Sequence, residues 1–153
     1  MTNLTQDDFI DWGTNEDYVK AIGIGECAGV IIDLIATLFL ESEEKIDKAK
    51  EAFGHQVYSN AIYLAYTAMV NAAKALLISE DFVTNTQAGI ISQFDAAFIE
   101  THKIDLGATF SDVIYQIRSN APTKEFSQKY IENATVFLVK ARAFRAQKKA
   151  IVI

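Results

Sequence analysis

Proline and cysteine are nearly absent from this chain: its 153 residues contain one of each, Pro122 and Cys27, with only seven glycines and two histidines. So few backbone breakers exclude a fold of many short strands joined by tight turns and point instead to a few long helices. A lone cysteine cannot close an intramolecular disulfide, and the cytoplasm is the expected compartment. Long apolar runs are missing too. The longest, residues 28–40, has thirteen residues and carries Asp33, which is too short to span a bilayer and reads as a buried helix, so no membrane partner is expected. The opening MTNLTQDDFIDW is acidic and lacks the basic start and apolar centre of a secretory signal. The histidines, His55 and His102, form no HxxxH, HExxH or ExxH spacing, so neither metal nor cofactor is expected.

What is present is ordinary for a globular domain: 50% hydrophobic and 22% charged residues, in one domain's length. Charge is distributed unevenly. Residues 1–51 carry 12 acids and 4 bases, whereas residues 101–153 carry 4 acids and 9 bases. The last helix holds Lys140, Arg142, Arg145, Lys148 and Lys149, with no acid after Glu132. Acidic and basic ends that meet in the fold explain this most simply; an anion-binding face for RNA or nucleotide is the functional reading.

Hydrophobic periodicity divides the chain into a polar lead-in, residues 1–25, with Trp12 and Tyr18 as anchors, and a helical bundle, residues 26–153. The first helix is expected over 26–50, with GVIIDLIATLFL buried on most sides, Glu41–Lys45 and Glu44–Lys48 at i, i+4 spacing, and Gly54 ending it. The second, over 55–78, has an apolar stripe of Val57, Ala61, Leu64, Ala65, Ala68, Ala72, Ala75 and Leu76, small enough for a neighbouring helix to approach closely. A third runs over 87–100, with Thr84 or Asn85 as N-cap and Ile91, Phe94 and Phe98 facing inward. A fourth covers 108–118 and ends at SNAP. A fifth covers 123–148, with Phe126, Tyr130, Ala134, Phe137 and Ala141 on one stripe.

Several groups could carry chemistry. Gly23, Gly25 and Gly29 are spaced GxGxxxG, but no lysine or serine follows to meet a phosphate, so helix initiation is the simpler reading. Cys27 falls at a helix N-terminus, where a thiol pKa can drop, yet it lacks a resolving cysteine. Glu43, Glu44 and Asp47 read as a solvated face. Tyr58, Tyr63 and Tyr66 cannot all share one helix face, so some line a groove or an interface. Arg118 is the only arginine before residue 142 and ends an otherwise apolar helix, next to Ser119 and Asn120. It is placed either to bind a phosphate or to cap the helix.

The segment 59–77, SNAIYLAYTAMVNAAKALL, resembles the second long helix of the HEPN family, with its tyrosine, alanine–methionine step and AAKALL ending. Further similarity lies in Ile91-Ser92-Gln93-Phe94, in the helix ending at Arg118 and in Ala134-Thr135-Val136-Phe137. The resemblance implies an all-α, antiparallel up-and-down bundle of about five helices, often dimeric. Many of its members are metal-independent ribonucleases or toxins partnered by a small nucleotidyltransferase. Their signature is an arginine, a polar residue and a histidine a few positions on. Arg118 matches the arginine and Ser119 or Asn120 the polar position, but residues 119–125, SNAPTKE, contain no histidine. Gln87 stands where some relatives carry a histidine. A second similarity, in Asp11-Trp12-Gly13 and in residues 23–30, is to the helical C-terminal extension of some bacterial nitrite or sulfite reductases.

These readings combine into one leading expectation: a non-catalytic, homodimeric binding or assembly module, associated with a nitrite or sulfite reductase. Arg118, Asn120, Tyr63 and Tyr66 are its candidate ligand-binding residues. The alternative is a divergent HEPN ribonuclease or toxin with Arg118 as its one catalytic residue. Nucleotide or RNA binding through the basic last helix is a third reading.

Overall fold

The structure, a computed structural model, describes residues 24–152, with side chains described for residues 29–148. Five helices succeed one another, and no strand occurs among the described residues. They are α1 (Ile24–Gly54), α2 (Tyr58–Ser79), α3 (Gln87–Phe94, continued by a wider π turn, Asp95–Ile99), α4 (Phe110–Ile114, continued by a 3-10 turn, Tyr115–Arg118) and α5 (Lys124–Val152). The all-α expectation holds. Trp12, Tyr18 and Gly23 lie outside the described residues. Gly25 and Gly29 sit inside α1, so residues 24–29 are helical and form no phosphate-cradling turn. Cys27 belongs to the first turns of the same helix.

Helix α2 is the centre of the bundle. Ala61, Ala65, Ala68, Ala72, Ala73 and Ala75 are all buried, and their small side chains bring α1 close. The Ser42 hydroxyl of α1 lies 3.0 Å from the carbonyl oxygens of both its own Leu38 and Ala68 of α2, a contact only near-touching backbones permit. This alanine lining also gives α2 the length and apolar composition of a membrane-spanning helix; burial against its neighbours accounts for both. Val57, expected on the apolar stripe, is instead exposed, because it lies in the turn before α2 begins.

Helix α1 differs from expectation in a second way. Ile35, Leu38 and Phe39 are buried, but Val30, Ile32 and Leu40 are exposed, so GVIIDLIATLFL buries one face rather than most. Among the described residues, α2 and α5 are the helices that pack most along it. The i, i+4 pairs are replaced by a longer-range one: Glu43 meets Arg142 of α5 at 2.6 Å, and that guanidinium also lies over Phe39. Glu44 and Asp47 are exposed, as a solvated face requires.

Three helix ends share a device that composition hides. Gln56, Asp81 and His102 adopt left-handed backbone, with φ of 64°, 67° and 62°. In each case the next residue's N–H reaches back to a carbonyl of the last turn: Val57 to Ala52, Phe82 to Leu77 and Lys103 to Phe98. These are the paired bonds of a Schellman ending, built here without the usual glycine. At the start of α3 the cap is Thr86, rather than Thr84 or Asn85; its hydroxyl accepts the Gly89 N–H at 2.9 Å.

The extended stretch 82–85 then carries the chain back along α2, so that Gln87 meets Tyr66. α3 rises beside α2 in the same sense, until Lys103 reaches Glu80 at 3.4 Å. α4 descends and α5 returns, with Phe110 stacked on Phe137 and the Tyr130 hydroxyl donating to the Ile114 carbonyl at 2.9 Å. The expected inward residues of α3 and α5, Ile91, Phe94, Phe98, Phe126, Tyr130, Ala134, Phe137 and Ala141, are all buried. Phe94 is their hub, with ring contacts to Phe98, Phe110 and Phe137 at 4.8–5.2 Å.

Candidate functional site

The short α4 ends in the residue the sequence singled out. Thr109 caps its start by accepting the Asp112 N–H at 2.9 Å. Five helical residues later the backbone tightens into the 3-10 turn, which carries Tyr115 and Arg118 three residues apart. At that spacing a 3-10 turn aligns side chains along one edge. The Arg118 Cζ accordingly lies 3.8 Å from the Tyr115 ring centroid, a close cation–π stack, and Arg118 is exposed to solvent.

Helix α2 supplies the other side. Tyr63 is 61% exposed, and its ring lies 6.4 Å from that of Tyr66 at an interplanar angle of 26°. The half-buried Tyr66 hydroxyl donates to Gln87 Oε1 at 2.8 Å. Burial, then the neighbouring Tyr115 and Tyr63 hydroxyls, push the Tyr66 pKa above the usual phenol value, and Arg118 pulls the other way. Tyr66 therefore remains a neutral hydrogen-bond donor at physiological pH. Deeper in, burial also raises the pKa of Tyr130, so its hydroxyl keeps the proton that it donates to the Ile114 carbonyl.

The structure thus brings Arg118, Tyr63 and Tyr66 together on one surface and adds Gln87 and Tyr115. Asn120 has a local role: its amide donates to the Gln116 carbonyl at 2.8 Å and closes the 3-10 turn. The i, i+3 spacing of Tyr115 and Arg118 was visible in the sequence and is the signal that would have found Tyr115.

The two histidines stand elsewhere. His102 forms the left-handed end of α3, while His55 lies in the α1–α2 turn, beside an open groove of about 450 Å³ that Lys48, Asn60 and Leu64 also line. Among the described residues no group of His, Cys, Asp or Glu is arranged to hold a metal ion. What the site offers is a guanidinium held flat by an aromatic ring, an exposed tyrosine face and a neutral phenol. Such a set binds anions through the fork of guanidinium donors and stacks planar groups on the rings.

This all-α bundle, with an arginine at the end of its fourth helix, defines a recognisable class. The HEPN domain family model matches residues 35–150, and the chain belongs to that family. Among curated proteins it is similar to "Putative toxin MJ0605" of Methanocaldococcus jannaschii, 29% identical over 113 residues, covering 68% of this chain and 83% of that protein.

Proposed function

We propose that this chain acts on RNA as a toxin-class HEPN protein, with the stacked Arg118 as its phosphate-binding centre. The observation that carries the reading is the exposed guanidinium 3.8 Å from the Tyr115 ring, with two more tyrosines alongside. The toxin name of the curated relative supports the class. Arg118 also occupies the position at which the sequence matches the family's arginine.

The chemistry follows from the groups present. The guanidinium donors meet phosphate oxygens in a bidentate fashion, and Tyr115 beneath them restricts the side chain before RNA arrives. Tyr63, the most open of the rings, offers a face on which an unpaired base can stack. Tyr66, held neutral, adds a donor rather than a base. Arg118 would further stabilise the negative charge on the phosphoryl oxygens during transfer. No histidine follows Arg118 in the chain, so the second member of the family's catalytic pair is not encoded at its usual place. Neither the family match nor the curated relative supports association with a nitrite or sulfite reductase, and that reading is set aside.

The test is fluorescence anisotropy with labelled single-stranded RNA at low salt, run beside a cleavage assay on structured RNAs. The parent should bind, less tightly as salt rises, and Arg118→Ala should weaken binding about tenfold or more with an unchanged melting temperature. Cleavage by the parent that Arg118→Ala abolishes would make the protein a ribonuclease. Binding without cleavage would make it a non-catalytic RNA-binding module. Neither binding nor cleavage overturns the proposal.

A further inference from the structure

Helix α4 has only five residues and buries two side chains, Phe110 and Ile114, yet it carries both halves of the Arg118–Tyr115 stack. So short a helix is not stable by itself. The burial of Phe110 and Ile114 ties it to the core, and polar contacts from two other elements fix its direction. At its start, Asp95 of the α3 π turn uses both carboxylate oxygens: Oδ1 accepts the Phe110 N–H at 2.6 Å, while Oδ2 accepts the Ser111 N–H at 3.1 Å and the Ser111 hydroxyl at 2.6 Å. At its end, the buried Tyr130 hydroxyl donates to the Ile114 carbonyl. Asp95 is itself buried, and α3 changes from α to π winding at this very residue. Wider turns of this kind re-aim a side chain and concentrate at working parts of helical proteins.

From this geometry we infer that Asp95 is the positioning residue of the RNA-binding face. By fixing the start of α4 against α3, it sets where Arg118 and Tyr115 stand relative to Tyr66 on α2. Asp95 touches no ligand and acts only through α4. Its carboxyl group suits the task because its two oxygens take three donors at once, which an amide or a hydroxyl oxygen cannot. The inference rests on the RNA reading for its consequence but not for its geometry, so two readouts are needed.

The experiment compares the full chain with Asp95→Ala, Asp95→Asn and Ser111→Ala, measuring hydrogen exchange of residues 110–118 and anisotropy with the labelled RNA. Ile46→Ala, in the α1 core, is the control for plain loss of stability. Asp95→Ala should accelerate exchange in 110–118 and weaken RNA binding about tenfold. Asp95→Asn, keeping one acceptor oxygen, should restore part of both, and Ile46→Ala should lower the melting temperature without changing affinity. Should Asp95→Ala fail to fold, Asp95→Asn and Ser111→Ala decide the matter by the same readouts. Unchanged exchange in 110–118 overturns the positioning role whatever RNA does. Faster exchange with unchanged affinity also overturns it, since α4 would then be loosened without consequence for the face. A parent that binds no RNA removes the functional reading alone, and exchange still judges Asp95.

Discussion

Where α1 crosses α2 the contact is made of alanines, with a serine hydroxyl wedged between two carbonyls. Where α4 meets α3, the Phe94–Phe110 ring contact is joined by one carboxylate taking three hydrogen bonds. The first contact runs over many turns and depends on surface removed from water; the second depends on a few atoms whose directions must be right. Extended apolar contact tolerates small shifts and fixes whether the chain folds. Directional polar contact fixes where one short helix points. Arg118 stands on the second kind of support, so its placement should be separable from the stability of the bundle.

That separation can be broken or sharpened by substitution. The largest effect belongs to Phe94, which joins the two regimes by packing on Phe98, Phe110 and Phe137. Phe94→Ala should destabilise the fold by about 3–5 kcal/mol, read by chemical denaturation, and should loosen α4 along with the core. If the loss stays under about 1 kcal/mol, the aromatic hub is not the joint between the two regions. A second effect lies in the interior of α2. Lys74 is buried there, and desolvation lowers its pKa to about 8. The unfolded chain keeps that proton up to an ordinary lysine pKa, so between pH 8 and pH 10 it binds more protons than the folded chain. Stability should therefore rise with pH over that window. Above it the gain is opposed, because Tyr66 and Tyr130 stay protonated when folded and ionise when unfolded. Melting temperatures at pH 7.5 and 9.5 check the rise, which Lys74→Met should remove. The smallest effect concerns a helix end. Gln56 pays the left-handed penalty that glycine avoids, so Gln56→Gly should stabilise by about 1 kcal/mol, seen as a higher denaturation midpoint, and leave RNA affinity untouched.

Much of this architecture was legible in the sequence because long helices write a three- and four-residue rhythm. Every inward residue named for α3 and α5 is buried, with Ile90, Ile131 and Leu138 added to them, and the start of α3 at Gln87 matched. Legibility ended where neighbours decide. Val30, Ile32 and Leu40 look identical in kind to Ile35 and Leu38, and among the described residues the placement of α2 and α5 separates the buried ones from the exposed ones. The left-handed ends at Gln56, Asp81 and His102 carry no glycine to announce them. Of the candidate residues named from type and position, Arg118, Tyr63 and Tyr66 lie near one another, while Asn120 serves its own turn. Tyr115 could have been found by spacing. Asp95 could not, because its partners lie 15 and 16 residues away, across a connector.

The return of the chain through residues 82–85 also bears on the order in which the molecule assembles. α1 and α2 are consecutive, antiparallel and joined by three residues, so they can zip together from contacts close in sequence, as fast-forming helical hairpins do. The Arg118 face has no such local route. It draws Tyr66 from α2, Gln87 from α3, and Tyr115 and Arg118 from the turn after α4. At the far end of α2, Glu80 pairs with Lys148, 68 residues away. On this topology the hairpin is the early unit and the Arg118 face the last surface to be completed. The α1–α2 scaffold can therefore stand before α3, α4 and α5 have docked, whereas the Arg118 face exists only once all of them have closed on it.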